Sequence, residues 1–137
     1  MINVLSSENS AGESMKLFSS TKSIGSKYED LASSYLKKFG MKLVEQNFHC
    51  RGGELDLVML DNQVIVFVEV KYRKSQEHGH AAEAVTPAKR KKLIKSSTVW
   101  LLKHGYSYYD TEFRFDVVAI HDDGQRIEWF KNAITQD

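Results

Sequence analysis

The charged residues Asp56, Glu69 and Lys71 lie within the two most apolar runs of the chain. Asp56 lies in GELDLVML (53–60), and Glu69 and Lys71 lie in VIVFVEVKY (64–72). Burying such charges is costly unless they are paired or bind a metal. Two carboxylates can hold a divalent cation, and a nearby lysine can handle a proton or a phosphate charge. The alternative interpretation is a buried ion pair between Lys71 and one of the two acids.

A β-hairpin formed by the two runs would bring these charges together. Side chains alternate along a strand, so Glu69 and Lys71 share a face. If Leu60 pairs with Gln63, Asp56 lies diagonal to Glu69, and a loop two residues longer places the two acids directly opposite. Both registers put the three charges on one side of the sheet, whereas a three-residue loop would separate them. Cross-strand neighbours lie roughly 5–8 Å apart, which suits two carboxylates holding one ion.

The surrounding pattern predicts an α/β domain with a mixed β-sheet flanked by helices, in the order α-β-β-β-α-β-β. A first helix has one apolar face and ends at Gly40; the face comprises Tyr28, Leu31, Ala32, Tyr35, Leu36 and Phe39. Thr86 and Pro87 begin a second helix that runs to about His104, with Leu93, Ser97, Trp100 and Leu101 facing inward. Strands are expected at 41–48, 53–60, 64–72, 111–120 and 126–130.

Length and composition indicate one domain. The chain has 137 residues, of which 24–134 carry the periodic pattern, while 1–23 contain seven serines and are expected to be a disordered tail. The longest uncharged apolar run, Val64–Val68, is too short to span a membrane. The first residues lack the basic start followed by an apolar core that a signal peptide needs, so none is expected. The single cysteine, Cys50, suits a reducing cytoplasm, so a cytoplasmic location is expected.

Basic residues concentrate on one segment of the chain. Residues 71–95 carry eight basic and two acidic residues, a local charge of +6, whereas 104–137 carry three basic and seven acidic residues, or −4. A basic stripe beside a carboxylate site suits the phosphate backbone of DNA. The candidate DNA contacts are Arg73, Lys74, Lys89, Arg90 and Lys92. A solvated helix face is the competing interpretation.

Five ordered motifs resemble a known family. They are Gly25-x-x-x-Glu29, Gly53-Glu54-Leu55-Asp56-Leu57, Phe67-Val68-Glu69-Val70-Lys71-Tyr72-Arg73, Thr86-Pro87-x-Lys89 and Arg114-Phe115-Asp116-Val117. The set is similar to the YraN-like family of small bacterial proteins. That family in turn resembles archaeal Holliday-junction resolvases and the restriction-endonuclease-like nuclease superfamily. Asp56, followed after twelve intervening residues by Glu69-Val70-Lys71, looks like the signature of that superfamily.

The resemblance implies a site and an activity. Asp56 and Glu69 would bind Mg²⁺ or Mn²⁺, Lys71 would be the catalytic lysine, and Glu29 would be the helical acid completing the site. From its position alone, Glu29 is more typical of a surface acid. The implied protein is a metal-dependent endonuclease acting on branched or otherwise structured DNA, and resolvases of this kind act as homodimers. The alternative is a non-catalytic DNA-binding or scaffold module that retains the nuclease fold.

Overall fold

A computed structural model describes residues 24–73 and 85–134 of the chain. The elements follow the predicted order: α1 (Ile24–Lys37), β1 (Lys42–Cys50), β2 (Gly53–Asp61), β3 (Val64–Arg73), α2 (Pro87–Lys103), β4 (Phe113–His121), a 3-10 turn (Asp122–Gly124) and β5 (Arg126–Phe130). The serine-rich segment 1–23, which was expected to be disordered, lies outside the described residues, as does Lys74.

The five strands form one mixed sheet in the order β1-β2-β3-β4-β5. Neighbouring strands are antiparallel except β3 and β4, which run parallel and are connected through α2. A parallel pair needs such a crossover because a short turn cannot reverse the chain twice. The predicted α/β class, the element order and the mixed sheet are therefore confirmed.

The two helices cover opposite faces of the sheet, as the alternation along β3 shows. Val66 and Val68 join the apolar cluster beneath α1, whereas Ile65 and Phe67 join the cluster beneath α2. Strands buried on both faces become almost continuously apolar, which explains the VIVFV run that starts β3.

Helix α1 packs through most of its predicted face. Tyr28, Ala32 and Leu36 are buried against the sheet. Phe39, which was assigned to the same face, lies beyond the end of the helix at Lys37 and is 56% exposed. Its ring still contacts Trp129, with the centroids 5.4 Å apart. The inward assignment of Phe39 was therefore wrong, because the helix ends before the residue could turn onto the buried face.

Helix α2 begins as the sequence predicts. The Thr86 side chain accepts a hydrogen bond from the Lys89 amide at 3.1 Å, and Pro87 occupies the first helical position. The four residues expected to face inward, Leu93, Ser97, Trp100 and Leu101, are all buried. Through these residues α2 packs mainly against β2 and β1.

A buried carboxylate holds the far side of the sheet together. Asp116 is fully buried in β4 and accepts from Arg114 Nε at 3.0 Å, Trp129 Nε1 at 2.9 Å and the Asn132 amide at 2.8 Å. Arg114 Nη2 also reaches Asp61 at 3.0 Å. The Arg114-Phe115-Asp116-Val117 motif thus contributes to the structure by connecting β4 with β5 and with the β2–β3 turn.

None of the helices among the described residues is long and apolar enough to cross a membrane.

Candidate functional site

The hairpin adopts the second of the two expected registers. Leu60 pairs with Ile65, and Asp61 pairs with Val64 across a turn at Asn62 and Gln63. The turn therefore lies one residue later than the expected Asp61-Asn62 connection, and Asn62 takes the positive φ of 57° that it requires. Continuing this register from the Leu57–Val68 pair places Asp56 opposite Glu69.

The two strands separate at that point and open a cleft. Pairing between β2 and β3 ends at Leu57 and Val68, after which β2 continues on β1 and β3 continues on β4. At the fork, Asp56 Oδ2 accepts a hydrogen bond from the Val70 amide at 2.9 Å. The Asp56 carboxylate thus takes the place of the backbone carbonyl that would accept from the Val70 amide if β2 and β3 remained paired.

A local irregularity turns Asp56 toward the cleft. Leu55 and Leu57 are two residues apart, yet they belong to apolar clusters on opposite faces of the sheet. On the neighbouring strand, Asn47 has a positive φ of 59°, and the Asn47–Asp56 pair is missing between Gln46–Leu57 and Phe48–Leu55, which share one register. The alternation of side chains is therefore interrupted where the acid lies.

The cleft has a volume of about 620 Å³. Elements from both faces of the sheet contribute to its walls. The lining residues are Ser26, Tyr28, Glu29, Asn47, His49, Glu54, Asp56, Glu69, Val70, Tyr72 and Lys89. Three of the four predicted catalytic residues, Glu29, Asp56 and Glu69, therefore meet in one cavity.

Glu29 is a buried acid whose environment favours the neutral form. The residue is 8% exposed, and its Oε1 atom has no hydrogen-bond partner among the described residues. Burial, followed by the nearby Asp56 charge, raises the pKa of Glu29 to about 8. This position contradicts the surface placement that its sequence context alone suggested, and it agrees with the family resemblance.

Glu69 is buried and contacts two lysines. It is 5% exposed, and its Oε2 atom lies 3.5 Å from Lys71 Nζ and 3.4 Å from Lys89 Nζ. Burial and the Asp56 charge raise the pKa of Glu69 to about 7, and the two ammonium groups oppose this rise. The Lys71–Glu69 ion pair considered from the sequence is therefore present. It does not provide a partner for Asp56 or for Glu29.

The donor set fits a hard dication in its chemistry. Four carboxylates, those of Glu29, Glu54, Asp56 and Glu69, line the cleft, and two ammonium groups contact Glu69, which leaves two negative charges in excess when all six groups are ionised. A divalent cation prefers carboxylate oxygens and would relieve their repulsion. Within 24–73 and 85–134, no three acidic, histidine or cysteine side chains form a group that could hold a metal as they lie. Metal binding would therefore require these side chains to move from the positions that they hold in this structure.

The proposed DNA-contacting residues occupy different positions. Lys89 lies in the cleft against Glu69, although the sequence assigned it only to phosphate. Lys92 is exposed and lines a neighbouring cavity of about 470 Å³, which also contains Lys89, Gly52, Gly53, Glu54 and Leu93. Arg90 is half-buried on α2, and Arg73 ends β3 opposite His121.

Several cleft residues could not be assigned from the sequence. Tyr28 and Tyr72 stack with ring centroids 4.3 Å apart, and His49 Nδ1 lies 3.2 Å from Glu54 Oε1. Their positions beside motif residues could have indicated that the two tyrosines lie at the site, since Tyr28 precedes Glu29 and Tyr72 follows Lys71.

Comparison with known proteins identifies the family. The protein-family model described as "Uncharacterised protein family UPF0102" matches residues 28–120, which include all the residues that line the cleft except Ser26. A UPF0102 protein of Vibrio vulnificus (strain YJ016) is 54% identical over 122 residues, covering 89% of this chain and 99% of the relative. A UPF0102 protein of Photobacterium profundum is 50% identical over 112 residues, covering 82% of this chain and 90% of the relative. The chain belongs to the UPF0102 family.

Proposed function

We propose that this protein is a metal-dependent endodeoxyribonuclease that hydrolyses phosphodiester bonds in branched or otherwise structured DNA. The observation that carries the proposal is the convergence of Glu29, Asp56 and Glu69 in one cleft beside two lysines. Buried acids with raised pKa values and an unpartnered oxygen are costly for folding alone, and such groups concentrate at functional sites.

The fold and the motifs support the same proposal. An acid at the start of a hairpin, followed by Glu69-Val70-Lys71 on the next strand, resembles the restriction-endonuclease-like superfamily. The mixed sheet with a helix on each face suits a fold of that kind. By the same resemblance, the protein would form a homodimer, since two strands are cut at a DNA junction. The single cysteine, Cys50, suits action in the cytoplasm.

In the proposed reaction, Asp56 and Glu69 would hold Mg²⁺ or Mn²⁺ with the assistance of Glu29. The metal would activate water and neutralise the charge that develops on the phosphate. Lys71 lies beside Glu69 and orients the attacking water by donating from its ammonium group. The Val70 amide holds Asp56 in place, so the acid is positioned before substrate arrives.

The basic residues of α2 would guide the DNA backbone into the cleft. Lys89 lies at the boundary between the cleft and the neighbouring cavity, and Lys92 lines that second cavity. Two adjacent phosphates of the DNA backbone would therefore contact Lys89 and Lys92 in turn. Such contacts carry affinity without sequence information and weaken as salt increases.

A cleavage assay tests the proposal. The full chain would be incubated with junction, flap, single-stranded and duplex DNA in Mg²⁺ or Mn²⁺, alongside Asp56→Ala and Lys71→Ala. We expect cleavage by the wild type and a loss of at least about 100-fold in both variants. Lys38→Ala is the matched control, because Lys38 is exposed beyond the opposite end of α1. Cleavage that persists in Asp56→Ala would exclude this site.

The second candidate is a DNA-binding module without nuclease activity. The two ammonium contacts to Glu69 favour it, because they already compensate part of the acidic charge without a metal. This function predicts salt-sensitive binding that requires α2 lysines, no metal dependence and no cleavage products on any of the four substrates.

A further inference from the structure

Tyr72 forms one half of an aromatic stack at the wall of the cleft. It follows Lys71 on β3 and points to the opposite face, where its ring lies parallel to Tyr28 of α1. The centroids are 4.3 Å apart and the planes differ by 14°. Tyr28 therefore covers one face of the Tyr72 ring.

Tyr28 is a rigid support for that ring. It is 5% exposed, and its hydroxyl donates to Asp123 Oδ1 at 2.8 Å. The side chain is thus fixed by the helix, by the sheet and by the turn between β4 and β5. Tyr72, in contrast, remains 38% exposed. The stack orders the outer ring while leaving aromatic surface accessible to a ligand.

The aromatic pair and the acids share the same cavity. Tyr28 and Tyr72 line the cleft together with Asp56 and Glu69. Tyr72 follows Glu69 by three residues along an extended strand, so their Cα atoms are separated by about 10 Å. A ligand that places a phosphate at the acids could place a planar group from the same or a neighbouring nucleotide at Tyr72.

We infer that Tyr72 is a stacking site for an unpaired DNA base next to the phosphate bound at the acids. A base inside a duplex has its faces covered by its neighbours, so a base reaching this wall must be unpaired or turned out of the stack. The inferred substrate class is DNA with unpaired nucleotides adjacent to the site of attack. This inference rests on the proposed function, which places the phosphate at the acids. The stacking of a base on Tyr72 does not itself require cleavage.

Fluorescence of 2-aminopurine tests the contact directly. The probe is placed in a flap strand beside the junction with duplex, and also within a fully paired duplex of the same sequence. Binding of the full chain is measured in Ca²⁺ and in EDTA. We expect quenching of the flap probe with wild type, Tyr72→Phe and Tyr72→Trp, since each retains an aromatic face.

Tyr72→Ala is expected to abolish the quenching and to weaken flap binding by about 5- to 100-fold, with little change for the paired duplex. Tyr109→Ala is the control, because Tyr109 is 92% exposed and does not line the cleft. Thermal unfolding of each variant checks that removal of the Tyr28 contact has not unfolded the protein. If Tyr72→Ala unfolds the protein, Tyr72→Leu decides the question, because leucine keeps an apolar contact with Tyr28 but has no aromatic face to quench the probe.

The outcomes separate this inference from the nuclease proposal. Metal-dependent cleavage with no effect of Tyr72 on flap binding or quenching overturns the stacking site and keeps the nuclease. Tyr72-dependent quenching without cleavage keeps the stacking site and overturns the nuclease. Absence of DNA binding, or equal effects of Tyr72→Ala and Tyr109→Ala, also overturns the stacking site.

Discussion

The Val70 amide donates a hydrogen bond to Asp56 Oδ2 at 2.9 Å, at the point where β2 and β3 separate. Asp56 consequently has two effects on this protein. Its oxygen satisfies a backbone donor at the fork, and its charge raises the pKa values of Glu29 and Glu69. These effects can be separated by substitution.

Asp56→Asn should stabilise the metal-free protein at pH 8. The amide oxygen can still accept from Val70, while the repulsion with Glu29 and Glu69 is lost. We expect the free energy of unfolding in EDTA to rise by about 1 kcal/mol, the equivalent of somewhat less than one pKa unit. Urea denaturation measures it. Asp56→Ala is the comparison, since it removes the hydrogen-bond acceptor as well as the charge. If Asp56→Asn is less stable than the wild type, the charge of Asp56 does not destabilise the metal-free protein.

Stability of the metal-free protein should fall as pH rises from about 5 to 8. Glu29 and Glu69 have pKa values of about 8 and about 7, against 4.5 for an ordinary glutamate. The folded state therefore retains protons that the unfolded chain has lost in this window, and raising the pH favours unfolding. Denaturation at successive pH values in EDTA would show this slope. Glu29→Gln should flatten it, whereas Asp110→Asn, in an exposed loop, should leave it unchanged.

Binding of Mn²⁺ should oppose the loss of stability that the metal-free protein shows as the pH rises. A cation at the acids displaces their protons, so its affinity should rise between pH 6 and pH 8. At 100 times the dissociation constant, the stabilisation should reach about 2.7 kcal/mol. Thermal unfolding with and without Mn²⁺ provides the measurement. Asp56→Asn should lose the stabilisation, while the exposed-acid variant Glu112→Gln should keep it. Equal stabilisation of both variants would place the metal elsewhere.

Asp116→Asn should destabilise the fold without touching the cleft. The buried carboxylate accepts from Arg114, Trp129 and Asn132, and an amide cannot accept from all of them. Because Arg114 is left with an incompletely paired charge, we expect a loss of about 3–5 kcal/mol. Chemical denaturation followed by tryptophan fluorescence measures it. Arg126→Ala, which removes an exposed pair with Glu128, should change stability by at most about 1 kcal/mol.

Local sequence patterns were sufficient to predict the elements of this fold. The Thr86-Pro87 pair predicted the start of α2 because capping depends on adjacent residues. The hairpin register remained open between two alternatives because both keep the apolar side chains inside. It was decided by the turn at Asn62 and Gln63. Phe39 was misassigned because helical spacing continues past the residue where the helix ends.

The site was less accessible to prediction because its parts come from three distant segments. Asp56 and Glu69 were found through the cost of charges in apolar strands. The contact between Lys89 and Glu69 depends on how α2 packs against the sheet, which no local pattern specifies. The interruption of alternation at Leu55 and Leu57 was also invisible, since both residues are apolar.

The fork between β2 and β3 also sets an order for assembly. Asp56 and Glu69 belong to one hairpin and are close in sequence, so chain closure brings them together at small entropic cost. Glu29 and Lys89 arrive from helices on opposite faces of the sheet, and the parallel β3–β4 pair spans a long crossover. Contacts of that kind slow folding. The acids should therefore meet before Glu29 and Lys89 reach them, and the full set of charges exists only once both faces of the domain have folded.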